Sequence, residues 1–102
     1  MEEYSFFHFQ YSIMKGVRIK VHGIVQGVFF RKHARSKAID LGINGWARNA
    51  DDGTVEIAAE GSSEPLADFV SWCHTGPERA VVNKVEVTES PLENFASFEI
   101  RR

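Results

Sequence analysis

Residues 23–31, with the sequence GIVQGVFFR, have the composition of an anion-binding loop. The glycines at positions 23 and 27 allow a tight backbone turn that can point several N–H groups inward. At the start of a helix such groups are unpaired, and they coincide with the positive end of the helix dipole. Glycine between a strand and a helix is more often a simple turn former, so the loop alone indicates anion binding without establishing it.

Arg31 strengthens that interpretation. A cation in the first turn of a helix is disfavoured by about 0.3–1 kcal/mol, unless an anion lies between the cation and the end of the dipole. The position of Arg31 therefore favours a bound anion. The alternative is a side chain that extends into water.

The residue types missing from the loop limit its chemistry. Residues 23–31 contain no Ser, Thr, Cys, Asp or His, so the loop has neither a covalent nucleophile nor the lysine and hydroxyl of a Walker-type site. Water must then be the attacking group. Without a metal, a strong base or a covalent intermediate, water needs an activated substrate. An acyl phosphate qualifies because its leaving group is a carboxylate.

The elements that position the loop follow from the hydrophobic pattern. Alternating apolar residues predict a first strand over residues 17–23. Apolar residues at helical spacing predict a first helix over residues 30–41, with Gly42 at its C-cap. Asp-Gly between two strand-like runs predicts an antiparallel hairpin of residues 43–49 and 54–60. The loop therefore joins the first strand to the first helix.

The second half of the chain supplies another helix and two strands. Ser62 or Ser63 can cap a helix that Gly76 and Pro77 terminate. The apolar stripe of this helix is formed by Leu66, Phe69, Val70 and Cys73, strand four by Val81, Val85 and Val87, and strand five by Ala96, Phe98 and Ile100. This order predicts an α+β, ferredoxin-like βαββαβ sandwich, with two helices on one face of a four- to five-stranded antiparallel sheet and water on the other.

Two long motifs carry a resemblance to a known family. Residues 21–31 (VHGIVQGVFFR) and residues 45–55 (GWARNADDGTV) resemble the two signatures of the acylphosphatases, and the second motif continues to Gly61. The resemblance covers residues 15–102, which we therefore expect to form one acylphosphatase-like domain. Residues 1–14 are then an N-terminal extension, either disordered or added to the sheet as an edge strand.

The resemblance implies an activity and a set of roles. It implies hydrolysis of the carboxyl-phosphate bond of acyl phosphates to carboxylate and orthophosphate, by in-line attack of water without a metal or cofactor. Arg31 would bind the phosphoryl oxygens, and Asn49 would position the attacking water. The phosphate would be held by the backbone of a loop comprising Gly23, Ile24, Val25, Gln26, Gly27, Val28 and Phe29.

Two other functions are compatible with the fold. A non-catalytic anion-binding or regulatory domain would keep the loop but act through a partner. An RNA-binding domain of this fold needs exposed aromatic residues on its central strands. The positions predicted to face water here are instead Arg18, Lys20 and His22 on strand one, and Thr54, Glu56, Ala58 and Glu60 on strand three.

Several residues with reactive side chains are given no chemistry. The four histidines, His8, His22, His33 and His74, lack companions at metal-ligand spacing. Asp51 and Asp52 precede a glycine and are interpreted as turn formers. Cys73 is interpreted as a core residue, Trp46 as a packing residue and Arg48 as a solvated charge.

The composition limits the partners. A chain of 102 residues suits one domain, and its net charge of −2 provides no positive field for nucleic acid or an acidic membrane. The single Cys73 cannot form an internal disulfide, which favours the cytoplasm. We therefore expect a cytoplasmic monomer whose partners are a small-molecule acyl phosphate and its product, inorganic phosphate.

Overall fold

A five-stranded sheet with two helices forms the part of the chain that the computed structural model describes, residues 13–102. The elements are β1 (Met14–Ile24), α1 (Phe30–Leu41), β2 (Asn44–Asn49), β3 (Val55–Ser62), α2 (Ser63–Cys73), β4 (Val81–Ser90) and β5 (Phe98–Arg101). The strand order is β4-β1-β3-β2-β5. The predicted α+β, ferredoxin-like fold is confirmed. The predicted extension lies outside the described residues, apart from Ile13 and from Met14, which begins β1.

The prediction of a purely antiparallel sheet is wrong at one edge. β5 pairs with β2 in parallel, with Gly45 opposite Phe98 and Ala47 opposite Ile100, so the sheet is mixed. The chain reverses after β4, which gives β5 the same direction as β1 and β2. Because β5 lies at the edge beside β2, their pairing is parallel.

The hydrophobic core lies between the sheet and the helices. Its buried residues include Val17, Ile19 and Val21 from β1, Phe30, Ala34 and Ala38 from α1, and Leu66, Phe69 and Cys73 from α2. This inventory confirms the predicted strand alternation and the core position of Cys73. Burial raises the pKa of the Cys73 thiol to about 12, so the thiol is protonated at neutral pH and is a poor nucleophile.

The other face of the sheet, called here the open face, carries Arg18, Trp46, Arg48 and Glu56. It is less exposed to water than predicted. Glu60 is only 5% exposed, because residues 91–97 cross from β4 to β5 and donate the backbone N–H groups of Glu93 and Phe95 to its carboxylate.

The helix ends follow the predicted signals in part. α1 ends at Gly42, whose left-handed backbone confirms the predicted C-cap. Ser62 occupies the N-cap position of α2, but within the described residues its hydroxyl makes no capping hydrogen bond. No helix among residues 13–102 combines the length and apolar character that a membrane span requires.

Candidate active site

The loop starts where β1 meets β4. β1 extends to Ile24, one residue beyond the predicted end, and a bulge between His22 and Gly23 shifts its pairing with β4. Gly23 has φ 131°, and a Cβ atom there would lie 2.0 Å from the carbonyl oxygen of Val81. A side chain at this position would therefore displace the strand. Val25 follows the end of β1. It is only 1% exposed, and its packing in the core fixes the loop directly after the strand.

Gln26 ties the loop to the β2–β3 turn. Its Nε2 donates to the carbonyl oxygen of Ala50 at 2.8 Å and to that of Thr54 at 2.9 Å. These acceptors flank the turn that follows Asn49. The amide of Gln26 therefore fixes the distance between the loop and the end of β2. This side-chain role could not be predicted, because the identity of a glutamine in a loop does not reveal its hydrogen-bond acceptors.

The end of the loop is an uncapped helix start. Phe29 is the N-cap of α1 in the left-handed region (φ 64°, ψ 28°), and Phe30 begins the right-handed helix. Such a change of hand between neighbours points successive N–H groups into one concavity. Within the described chain no side chain caps this helix, and its first turn has no acidic residue. Unpaired N–H groups and the positive dipole end are therefore available to an anion here.

Arg31 lies beside this helix start and is held by the last strand. Its Nη1 donates to the carbonyl oxygen of Arg101 at 2.8 Å. Among residues 13–102, it is absent from the four ion pairs, which all involve other cations. The guanidinium is thus positioned by a backbone carbonyl, and its charge is not neutralised by any described carboxylate.

A cavity of about 270 Å³ brings the predicted residues together. Its lining comprises Val25, Gly27, Phe29, Phe30, Arg31, Lys32, Asn49 and Ile100. Arg31, Asn49 and three of the seven loop residues share this cavity. The other four loop residues do not line the cavity and contribute to the conformation of the loop: Gly23, Ile24, Gln26 and Val28.

Sequence reasoning missed Lys32 and Ile100. Lys32 follows Arg31 in the first turn of α1, so its proximity to the loop could have been predicted from the sequence. Ile100 reaches the cavity because β5 pairs with β2, with Ile100 opposite Ala47. Its alternation with Phe98 predicted a strand but could not predict which neighbour that strand would have.

The side chains of the cavity restrict its chemistry. The described lining contains two cations and one amide but no hydroxyl, thiol, carboxylate or imidazole. No group of three or more His, Cys, Asp or Glu residues in the described chain could hold a metal ion. The cavity can therefore bind a dianion and orient a neutral nucleophile.

Two other cavities lack this combination. One of about 520 Å³ lies between the start of β1, α2 and the end of β4, and has mostly apolar walls. One of about 420 Å³ lies on the open face. Neither contains Arg31 or Asn49, so size does not identify the site. The open-face cavity also contains carboxylates beside its cations, including Glu56, whose Oε1 lies 2.6 Å from Nη2 of Arg48.

The chain is similar to known sequences along most of its length. The family model of the acylphosphatases matches residues 17–100. The acylphosphatase of Rubrobacter xylanophilus is 49% identical over 88 residues, which cover 85% of this chain and 80% of the relative. That of Natronomonas pharaonis is 44% identical over 89 residues, with coverages of 83% and 97%.

Solved structures give the same result. The crystal structure of acylphosphatase from Bacillus subtilis superposes with a TM-score of 0.84 at 40% identity, over 88% of this chain and 100% of that chain. Full-length HypF in its phosphate- and nucleotide-bound form superposes with a TM-score of 0.83 at 25% identity, over 89% of this chain but 12% of that chain. The family match, the relatives and the structures agree over most of the described residues. The chain belongs to the acylphosphatase family.

Proposed function

We propose that this protein hydrolyses the carboxyl-phosphate bond of acyl phosphates in the cavity that Arg31 and Asn49 share. Family membership supports the enzymatic function over a non-catalytic anion-binding role. One observation carries the proposal: the uncapped start of α1 and Arg31 lie at the same cavity. Among residues 13–102, Arg31 forms no ion pair with a carboxylate.

The phosphoryl group binds to the backbone of the loop from Gly23 to Phe29 and to Arg31. The N–H groups at the start of α1 donate to its oxygens, and the left-handed Phe29 and Gly27 shape the backbone around them. Arg31 donates through a planar fork that matches two phosphoryl oxygens. Its bond to the carbonyl of Arg101 fixes the guanidinium before substrate arrives.

Asn49 orients the attacking water. Its side-chain oxygen accepts a hydrogen bond from water, and its amide adds no negative charge beside the dianion. The water oxygen attacks phosphorus in line, while the bond between phosphorus and the bridging oxygen breaks. The carboxylate leaves with that electron pair, and both water protons end on orthophosphate. Arg31 stabilises the charge that develops on the phosphoryl oxygens.

The direct test is hydrolysis of benzoyl phosphate by the purified chain in EDTA. We expect turnover, competitive inhibition by inorganic phosphate, and no loss of rate on chelation. In ¹⁸O-labelled water the label should enter phosphate, because the phosphorus–oxygen bond breaks. Label in benzoate would contradict in-line attack at phosphorus. Phosphate binding by folded protein without turnover would instead support the non-catalytic alternative.

Residues 15–102 form the catalytic unit in this proposal. The cavity lies at the end of β1, and the extension precedes its start, eleven residues away at Met14. This separation is about 33 Å in an extended strand. A chain that starts at Met14 should therefore retain its kcat/KM within about twofold. A larger loss would show that residues 1–13 contribute to the site.

We also propose that the protein works as a cytoplasmic monomer. The single cysteine is buried in the core, so it is not available for an intermolecular disulfide. Light scattering after size exclusion should give a mass near 11.5 kDa. Cell fractionation of the native source tests the compartment.

A further inference from the structure

We propose that the side chains of Phe29 and Ile100 bind the acyl group, so that the enzyme prefers acyl phosphates with an apolar, aromatic acyl group over those with a small one. The inference rests on the proposed function and extends it from the phosphoryl group to the remainder of the substrate. The backbone of Phe29 belongs to the phosphate-binding loop, whereas its ring has no role in that loop.

Both side chains expose apolar surface on the wall of the cavity. Phe29 is 60% exposed and Ile100 is 43% exposed. They line the same cavity as Arg31 and Asn49. Exposed apolar side chains are common singly on protein surfaces. Two of them on the wall of a cavity that also holds a phosphate site form an apolar surface beside the reacting group.

The backbone conformation at Phe29 is unfavourable for a phenylalanine, which indicates a functional role for the ring. Its φ of 64° is a conformation that glycine or asparagine adopts with less strain. The N-cap position favours Ser, Thr, Asp or Asn, which can bond to the helix N–H groups. The ring of Phe29 provides no cap, and its exposure shows that it adds little to the core. The ammonium of Lys32 lies 5.9 Å from the ring centroid, a cation–π contact that restrains the ring at the cavity.

The substrate itself requires a contact of this kind. In an acyl phosphate a single bridging oxygen separates phosphorus from the carbonyl carbon. When the phosphoryl group occupies the start of α1, the acyl group must lie a few ångströms away, against the cavity walls or in water. Ile100 lies on β5 next to β2, the strand that ends at Asn49. Phe29 from the loop and Ile100 from β5 thus both supply apolar parts of the wall of the same cavity.

Kinetics with benzoyl phosphate and acetyl phosphate test the proposal. These substrates share the phosphoryl group and differ in acyl size. We expect the wild-type KM for benzoyl phosphate to be roughly tenfold lower, because a phenyl ring covers more apolar surface than a methyl group. Phe29→Gly tolerates the left-handed backbone and adds no side chain that could cap the helix, and Ile100→Thr keeps a branched residue in β5. Each should reduce the benzoyl preference in kcat/KM severalfold, mainly through the KM for benzoyl phosphate.

A matched control and a phosphate measurement separate this proposal from the proposed function. Ile39→Thr changes an apolar residue that is 55% exposed on α1 and absent from the cavity lining, so it should preserve the wild-type preference. The inhibition constant of inorganic phosphate reports on the loop and Arg31 without any acyl group. If both substrates have the same KM, or if the variants change both substrates and phosphate inhibition by one factor, the acyl-binding role is wrong while hydrolysis stands. Failure of the wild type to hydrolyse either substrate would overturn both.

Discussion

The cavity at the start of α1 and the open face of the sheet both contain arginines, but the two regions differ in what those arginines contact. On the open face, Arg18 lies 2.7 Å from a carboxylate oxygen of Glu93, and Arg48 lies 2.6 Å from one of Glu56. In the cavity, Arg31 contacts the carbonyl oxygen of Arg101. Arg18 and Arg48 are already paired with carboxylates at the surface. Arg31 contacts only a neutral carbonyl among the described partners, so its charge is available to a phosphate.

The two regions meet at the last strand. The guanidinium of Arg101 lies 4.8 Å from the ring centroid of Trp46, while its backbone carbonyl accepts a hydrogen bond from Arg31. Arg18 and Arg48 also lie over the Trp46 ring, at 5.2 and 5.8 Å. Trp46 is 7% exposed, which confirms its interpretation as a packing residue. On the open face the arginines therefore cover an aromatic ring, whereas we propose that Arg31 in the cavity binds substrate.

We expect substitution of Arg31 to have the largest effect on activity. Arg31→Lys retains the charge but loses the planar fork and the bond to the Arg101 carbonyl, so kcat/KM for benzoyl phosphate should fall roughly 10³-fold. Steady-state kinetics measure this, and circular dichroism checks the fold. The matched control is Arg48→Lys on the open face, where we expect a change of less than about twofold because the cation's partner is Glu56 rather than substrate. Similar losses of kcat/KM in both variants would show that the arginines of the cavity and of the open face do not differ in function.

Asn49 provides the next largest effect. Asn49→Asp is nearly the same size but places a carboxylate beside the substrate dianion, so it should remove nearly all turnover. Asn49→Ala removes the contact to water without adding charge, and it should reduce kcat roughly 10²-fold with a smaller change in KM. An active Asn49→Asp enzyme would overturn the role in orienting water. Asn94→Asp, at an exposed position between β4 and β5 and outside the cavity, is the matched control.

Sequence periodicity predicted the elements better than their neighbours. The alternation of Val17 and Val21 and the apolar stripe of α1 depend on local geometry, which periodicity reports. The position of β5 beside β2 depends on tertiary contacts, so the parallel edge was missed. The burial of Glu60 and the place of Ile100 in the cavity both follow from that position, and neither could be predicted before it was known.

In the candidate active site, too, the residues could be predicted from the sequence but their hydrogen-bond partners could not. Arg31 and Asn49 could be predicted because each lies within a long motif, and the structure places both in one cavity. Gln26 also lies within a motif, but only the structure reveals that its amide bonds to the turn after β2. Predictions about bond partners across the chain require the fold, because residues 26 and 54 are distant in sequence.

Gln26 joins the loop to the turn after Asn49, and its substitution tests how strongly the site depends on that link. Gln26→Met keeps the length of the side chain and removes both hydrogen bonds, which should cost roughly 1–3 kcal/mol of stability. We expect kcat for benzoyl phosphate to fall roughly tenfold because the loop and Asn49 lose their fixed spacing. Denaturant unfolding and kinetics measure the two effects. Arg18→Met, which breaks a bond on the open face, is the control. A stability loss with unchanged kcat would show that the Gln26 bonds serve only the fold.

Asp52 gives the smallest effect on activity and tests whether charge pairs outside the cavity serve stability alone. Its carboxylate accepts from the Thr54 hydroxyl at 2.6 Å and pairs with Lys20 at 3.0 Å, and these contacts hold its pKa below the usual 3.8. Because the folded pKa is the lower one, the stabilisation is present above about pH 4 and is lost as the pH falls through the folded pKa. Asp52→Asn should therefore lower the Tm at pH 7, by a margin that shrinks below pH 4, with unchanged kcat/KM at pH 7. A Tm margin for Asp52→Asn that stayed constant from pH 7 to pH 2 would contradict the linkage.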